Sequence, residues 1–530
     1  MIDIYKHGRS TLFYSNGIGP NFKIKLNLKH QNLIGGIMKF LKIACVLAVA
    51  LCLAGSVYAE TQSVKVSGDL TMRGIYRNQY DYLSKGGNAE PSPAGVRTGN
   101  TQVDQSWFMS TAEVEIDADL TDNVQTVIRL VNQRDWNVYG YGAGYTNATA
   151  LATNGRGGYT ANADEFQVIV DLAYVTLKDF IYSPLTVTIG RQDLWFGKGF
   201  IVGANLQVPA NTISAGEYTT VWSFDAIKAV LDYDPWTITA VYSKIFEDAI
   251  QANDDVDLWG VNVGYKFDSY KAEMEGYWFW KHSQDVLKFG ATKNQNEVHN
   301  IGLRGSFDPI DVITLSAEGV YQCGQYVGSP VQNVNRDRSA WALDVSGELR
   351  YFTDKFSWKP KLGAEFIWYS GQEDEDAASA QGTYHGWDGM YRGKFDSAIR
   401  EFVGKFYQTG RFPVAGNTSN QVVSSRDASF TNQYQMIFMG SIQPIESLNL
   451  KANYNLFWNQ ENYQQTDDKT KGFVGQEVDL TATWDYTEDV SFGLLMGWFV
   501  PGTVYDAGVG PNGSTNHVAT DVVGTVKVSF

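Results

Sequence analysis

From Val64 to its last residue the chain is a succession of segments in which apolar and polar side chains alternate. In Val64 to Tyr76, Val66, Leu70, Met72 and Tyr76 share one parity, and Lys65, Asp69 and Arg73 the other. In Trp107 to Leu120, Phe108, Ala112, Val114, Ile116 and Leu120 stand opposite Glu113, Glu115, Asp117 and Asp119. A period of two puts these sets on opposite faces of a β-strand. The last segment, His517 to Phe530, keeps the alternation to the terminal aromatic, whereas the ends of soluble domains usually fray. Eighteen such segments can be counted, with sixteen as the alternative count. Short turns such as Asp234-Pro235, Asp268-Ser269 and Asp308-Pro309 alternate with long connections such as 136–164, 197–220 and 371–430. An even number of strands joined by alternately short and long loops predicts an all-β fold, a transmembrane antiparallel β-barrel. Aromatic residues near segment ends, among them Tyr233, Trp236, Phe267 and Tyr270, fit interfacial girdles.

Composition sharpens this picture. The 530 residues are 14% aromatic and include 52 Gly but only 13 Pro, and no linker divides them into domains. Met38 to Ala59 carries Lys39 and Lys42 before an apolar run and ends in Val57-Tyr58-Ala59, as a signal peptide does. Residues 1–37 are expected to be an over-extended start outside the fold, 38–59 the signal peptide, and 60–530 the barrel. After Ala59 there are 35 basic and 57 acidic residues, a balance that argues against nucleic acid as a partner. The expected partners are outer-membrane lipid, a hydrophilic solute, and the barrel assembly machinery, which would read the Phe530 strand.

If the apolar parity faces lipid, the polar parity lines the lumen with charges of both signs. Arg129, Lys228, Arg304 and Arg350 are expected near mid-strand on that parity, together with Glu113. Arg191 shares parity with Val187 and Ile189, and turns inward only if Gly190 forms a bulge. Asp225 completes the residues expected to line the pore or touch solute. The connection 371–430 is far longer than an ordinary loop. It holds an acidic run, Glu373 to Asp376, read as solvated, and a stretch from Trp387 with helical spacing over Asp396 to Phe406. Trp387, Asp388, Arg392, Lys394 and Asp396 are the candidates for narrowing the pore, if the loop folds inward rather than capping the barrel outside. The four histidines after Ala59 (His282, His299, His385 and His517) fall in no metal-ligand or nucleophile spacing, and no phosphate-cradling loop motif is present there. Neither an enzyme nor a cofactor is expected.

Two stretches carry a family resemblance. Gly190-Arg191-Gln192-Asp193-Leu194, followed by a Gly-rich turn and Phe224-Asp225-Ala226-Ile227-Lys228, resembles the alginate export family of outer-membrane porins. The resemblance implies a monomeric barrel in the outer membrane of a Gram-negative bacterium, with a pore-constricting loop, passing a hydrophilic solute. The function expected is passive passage of a hydrophilic, anionic, saccharide-type solute. The alternative is a surface barrel whose long loops bind a partner while the lumen stays plugged.

Overall fold

The structure, a computed structural model, describes residues 63–79, 104–136, 167–207, 213, 215–247, 255–286, 294–327, 335–350, 352–353, 355–372, 382–402, 430–461, 472–503 and 517–530. The expected leader at 38–59, the stretch 1–37 and the acidic run at 373–376 lie outside the described residues.

Eighteen antiparallel strands follow in chain order: β1 (Ser63–Asn78), β2 (Asp104–Thr121), β3 (Val124–Asp135), β4 (Ile169–Leu177), β5 (Leu185–Gln192) and β6 (Phe224–Tyr233). Then come β7 (Trp236–Phe246), β8 (Val256–Lys266), β9 (Glu273–Val286), β10 (Asn294–Ile310), β11 (Ile313–Val327) and β12 (Asn335–Leu349). The last six are β13 (Lys361–Tyr369), β14 (Gln433–Ile445), β15 (Leu448–Asn459), β16 (Phe473–Asp485), β17 (Val490–Pro501) and β18 (Ala519–Ser529). Each pairs with its chain neighbours, and β18 closes on β1 from Asp69↔Ser529 to Asn78↔Thr520. Closure leaves no unpaired edge, which a strand in hydrocarbon could not tolerate.

Alternation sorts the side chains as the sequence predicts. On β6, Phe224 and Ala226 point inward and are buried, while Ile227 points outward and is 48% exposed. Val66, Met72, Ile116, Ile128, Leu303, Phe438 and Leu494 likewise stand on the outer parity as exposed apolar side chains. That surface is a lipid face rather than a core. The turns at one end span two to eleven residues, and the connections at the other span seven to sixty-three. By this asymmetry the short-turn end is the periplasmic one. Rings gather there, with Trp236 and Tyr265 centroids 4.7 Å apart and Tyr265 and Phe267 4.6 Å apart. The seam is finished by Phe530, whose backbone exchanges two 2.9 Å hydrogen bonds with Gly68. Its ring lies so close over that residue that a Cβ on Gly68 would come within 2.7 Å of it.

Three expectations about single residues need correction. Arg350 lies beyond the end of β12, in the periplasmic turn, where it pairs with Asp308 (3.2 Å) and Glu348 (3.3 Å). Gly190 forms no bulge, since the β5 register runs unbroken against both β4 and β6. Arg191 therefore keeps the outer parity of Ile189, and Asp225 that of Ile227. They pair with each other across β5 and β6 at 3.3 Å, at the loop end of the barrel. Gln192, not Arg191, faces the lumen, and its amide donates to the backbone carbonyls of Thr188, Gly190 and Ala226.

Candidate functional site: a lumen narrowed by two inward loops

The described parts of two long connections, 193–207 with 215–223 and 382–402 with 430–432, lie inside the cylinder. The β5–β6 connection, 193–223, turns inward after Gln192, four residues before the strand end that alternation suggested. It carries an apolar run, Leu194, Phe200, Ile201 and Val202, that is almost wholly buried. The β13–β14 connection, 370–432, brings in Trp387, Met390, Arg392 and Ile399, also buried. Leu194, Phe200, Ile201, Val202, Trp387 and Met390 pack with Phe224, Phe279, Ile367, Tyr369 and Phe430 into one apolar cluster inside the barrel. Burying apolar surface this way needs a partner surface within the lumen, which each loop supplies to the other.

The loops are also stitched through their backbones. Tyr391 N–H donates to Ile201 O (3.0 Å), Gly203 N–H to Tyr391 O (2.8 Å) and Gly393 N–H to Gly199 O (2.9 Å). The approach is close enough that a Cβ on Gly393 would meet the Gly203 backbone and the Trp195 ring at 2.7 Å. Gly199 adopts φ +73°, a left-handed conformation that glycine accepts without cost.

The wall formed by β9 to β16 holds the second loop by charge. Lys281 on β9 reaches both Asp388 oxygens at 2.6 and 2.7 Å. Gln322 on β11 treats Asp388 as a strand neighbour, donating to its carbonyl (2.7 Å) and accepting from its N–H (3.0 Å). Arg338 on β12 donates to Gly386 O at 3.0 Å. Lys394 sits among Asp344 (3.2 Å), Glu365 and Asp396 (3.3 Å), and Lys198 from the first loop adds Ser346 (2.6 Å) and Asp344 (3.4 Å). Glu477 on β16 accepts the N–H groups of Ile399 (2.7 Å) and Arg400 (2.9 Å). Arg392 is bound by Asp396 at 2.9 Å and lies over the rings of Phe200 (5.1 Å) and Phe430 (5.0 Å). Burial alone would disfavour the Lys394 ammonium, but Asp396, Asp344 and Glu365 outweigh it and hold its pKa above the usual lysine value. Burial, with Asp396 adding to it, pushes the Glu401 carboxyl up to about 7 despite Arg392 and two backbone N–H groups.

Of the expected constriction residues, the structure brings Trp387, Asp388, Arg392, Lys394 and Asp396 together inside the barrel. Of the helix expected over Asp396 to Phe406, 400–402 are helical and 396–399 are not, and 403–406 lie outside the described residues. Arg304 faces the lumen, but Glu273 (2.7 Å) and Glu275 take both ends of its guanidinium, and its stem lies under Gly197.

The wall formed by β1 to β6 differs. Arg129 on β3 is gripped by Asp171 (2.5 and 2.8 Å), with Asp193 at 3.7 Å. Arg73 on β1 lies over the Tyr218 ring at 5.0 Å and touches Thr111 at 3.4 Å. Lys228 on β6 shares the inward parity of Phe224 and feels Asp193 without contacting it. Among the described residues, neither Arg73 nor Lys228 has a carboxylate within 4 Å. Glu113, Glu115, Asp117 and Asp119 follow one another on the inward parity of β2, towards the periplasmic end. Trp195, on the first loop, is 52% exposed, unlike the buried rings of the apolar cluster.

Sequence reasoning missed the first loop as a constriction and Arg73 as a site residue. Four apolar residues, Leu194, Phe200, Ile201 and Val202, in a Gly-rich connection were the available signal for the loop.

The alginate export family model matches residues 92–519. No curated protein matches the sequence. Among solved structures, OccAB1 of Acinetobacter baumannii aligns at TM-score 0.49 and 11% identity, over 90% of this chain and 99% of that one. OccK2 (OpdF) of Pseudomonas aeruginosa, solved in complex with glucuronate, aligns at 0.47 and 11%, over 89% and 99%. OccK11 (OpdR) of the same organism aligns at 0.44 and 11%, over 88% and 96%. With its family match and its closed eighteen-stranded cylinder, the chain belongs to the alginate export family, as a porin-like channel of the Gram-negative outer membrane.

Proposed function

We propose that the channel passes small hydrophilic solutes bearing a carboxylate, of saccharide type, by diffusion past the β1–β6 wall and without a chemical step. The observation that carries this reading is the pair of lumen cations, Arg73 and Lys228, that have no carboxylate within 4 Å beside a lumen narrowed by two packed loops. In a narrow pore with low-dielectric walls such charges are focused and only partly screened, because the Debye length is ~8 Å at physiological salt. The acid row Glu115, Asp117 and Asp119 lies towards the periplasmic end and opposes retention of an anion. Conduction needs this combination of binding and release. The exposed indole of Trp195, amphipathic and on the constricting loop, suits the apolar face of a hydroxylated ring. A polymer would need the space that the two loops fill.

The test is a salt-gradient reversal potential in planar bilayers. Arg73→Ala with Lys228→Ala should move the preference towards cations and weaken current block by sugar acids, with the barrel still folded. An unchanged reversal potential would remove these residues from the selectivity filter. The signal peptide at 38–59, the reading of the Phe530 strand by the assembly machinery, and a monomeric state belong to the same proposal. The last is checked by the mass of the detergent-solubilised barrel.

A further inference from the structure

The turn between β12 and β13, residues 350–360, is the longest at the periplasmic end. Its length is not spent in water. Phe352 and Phe356 lie 6.2 Å apart and Phe356 and Trp358 5.3 Å apart, forming a shelf of three rings. The turn is held in place by Gln443 N–H donating to Trp358 O at 2.7 Å and by the pairing of Arg350 with Asp308. Between this shelf and the outer face of β13 to β17 lies a cavity of about 660 Å³. Leu362, Ile442, Leu450, Leu480 and Leu494 line it, and Gly440, Ala452 and Ala482 hollow its floor. All stand on the outer parity, so the cavity opens to lipid and not to the lumen. The same turn carries Lys355 and Lys359, both exposed.

We propose that this groove is a binding site for one acyl chain of a glycerophospholipid of the periplasmic leaflet, with Lys355 and Lys359 facing its phosphate. The occupant follows from position and charge. The groove is apolar and lies on the lipid face at the short-turn end, and the turn that covers it carries two exposed lysines. Lipopolysaccharide lies in the other leaflet and is excluded by that position.

The experiment is native mass spectrometry of the whole barrel, extracted from membranes in mild detergent. One retained phospholipid per barrel is expected. Ala452→Trp, which fills the floor from an outward strand position, should lower the occupied fraction about tenfold, the effect of roughly two methylenes no longer buried. Heat-modifiable migration on a gel confirms that the variant is folded. Lys355→Glu with Lys359→Glu, which leaves the groove intact, should reduce the preference for phosphatidylglycerol over phosphatidylcholine on add-back. No retained phospholipid, equal retention in a folded Ala452→Trp, or retention of lipopolysaccharide alone would overturn the proposal.

Discussion

The two halves of the lumen wall use similar residues for opposite ends. On β9 to β16, Lys281, Arg304, Arg336 and Arg338, with Lys394 of the loop, are matched to carboxylates or backbone carbonyls and fix a loop against the wall. Lys361 and Lys451, near the periplasmic end, are not matched among the described residues. On β1 to β6, Arg129 is matched in this way but Arg73 and Lys228 are not. A matched buried pair stabilises an arrangement and presents little field to a passing ion, whereas an unmatched charge costs stability and keeps its field. The channel therefore holds its shape on one side and meets its solute on the other.

Breaking the matched side should give the largest effect. Lys394→Met leaves Asp344 and Glu365 to Lys198 alone and Asp396 to Arg392, and breaking a buried pair costs at most about 3–5 kcal/mol. The inner loop should leave the wall, and single-channel conductance should rise several-fold while the barrel still migrates as folded. A Gly393→Val change tests the seam between the loops. With backbone at 2.7 Å from its Cβ, overpacking of about 1–3 kcal/mol should part them and raise conductance less. Arg304→Met sharpens the contrast from the other direction. Made together with Glu275→Gln, it removes one charge of each sign, so reversal potential should shift far less than in the Arg73→Ala, Lys228→Ala double variant, although stability falls. Equal shifts in the two would erase the distinction between the walls.

The smallest effect is a pH dependence. Glu401 is held near 7, above its unfolded value, so its contribution to loop docking is complete below about pH 4.5 and is lost as pH rises through 7. Hydrogen exchange in 382–402, corrected for intrinsic rate, should quicken as pH rises across this range, by at most about tenfold for each pH unit. Glu401→Gln should flatten the response.

Much of the cylinder was legible because alternation is local. Each strand announces its two faces within a few residues, and the eighteen segments read from β1 to β18 are the eighteen found. Strand ends were softer, and this misplaced Arg350 in a strand when the chain had already turned. The site was less legible because its partners are remote. Lys198 and Asp344 are 146 positions apart, and no periodicity tells a paired arginine such as Arg304 from an unpaired one such as Arg73. Parity did carry information at Arg191, where the unbroken register keeps the side chain outside.

One contact of the first inner loop links its seating to the history of the molecule. Its three-residue helical turn, Gly216–Tyr218, places Glu217 on Arg77 of β1, while Arg77 also reaches Asp521 of β18 at 3.5 Å. The loop thus rests on the one junction of the cylinder that joins the beginning of the fold to its end. Until the last strand has been delivered and has found the first, this landing place lacks Asp521 and is incomplete. Narrowing of the passage is therefore a late event in biogenesis, and a barrel caught half-zipped would be a wide one.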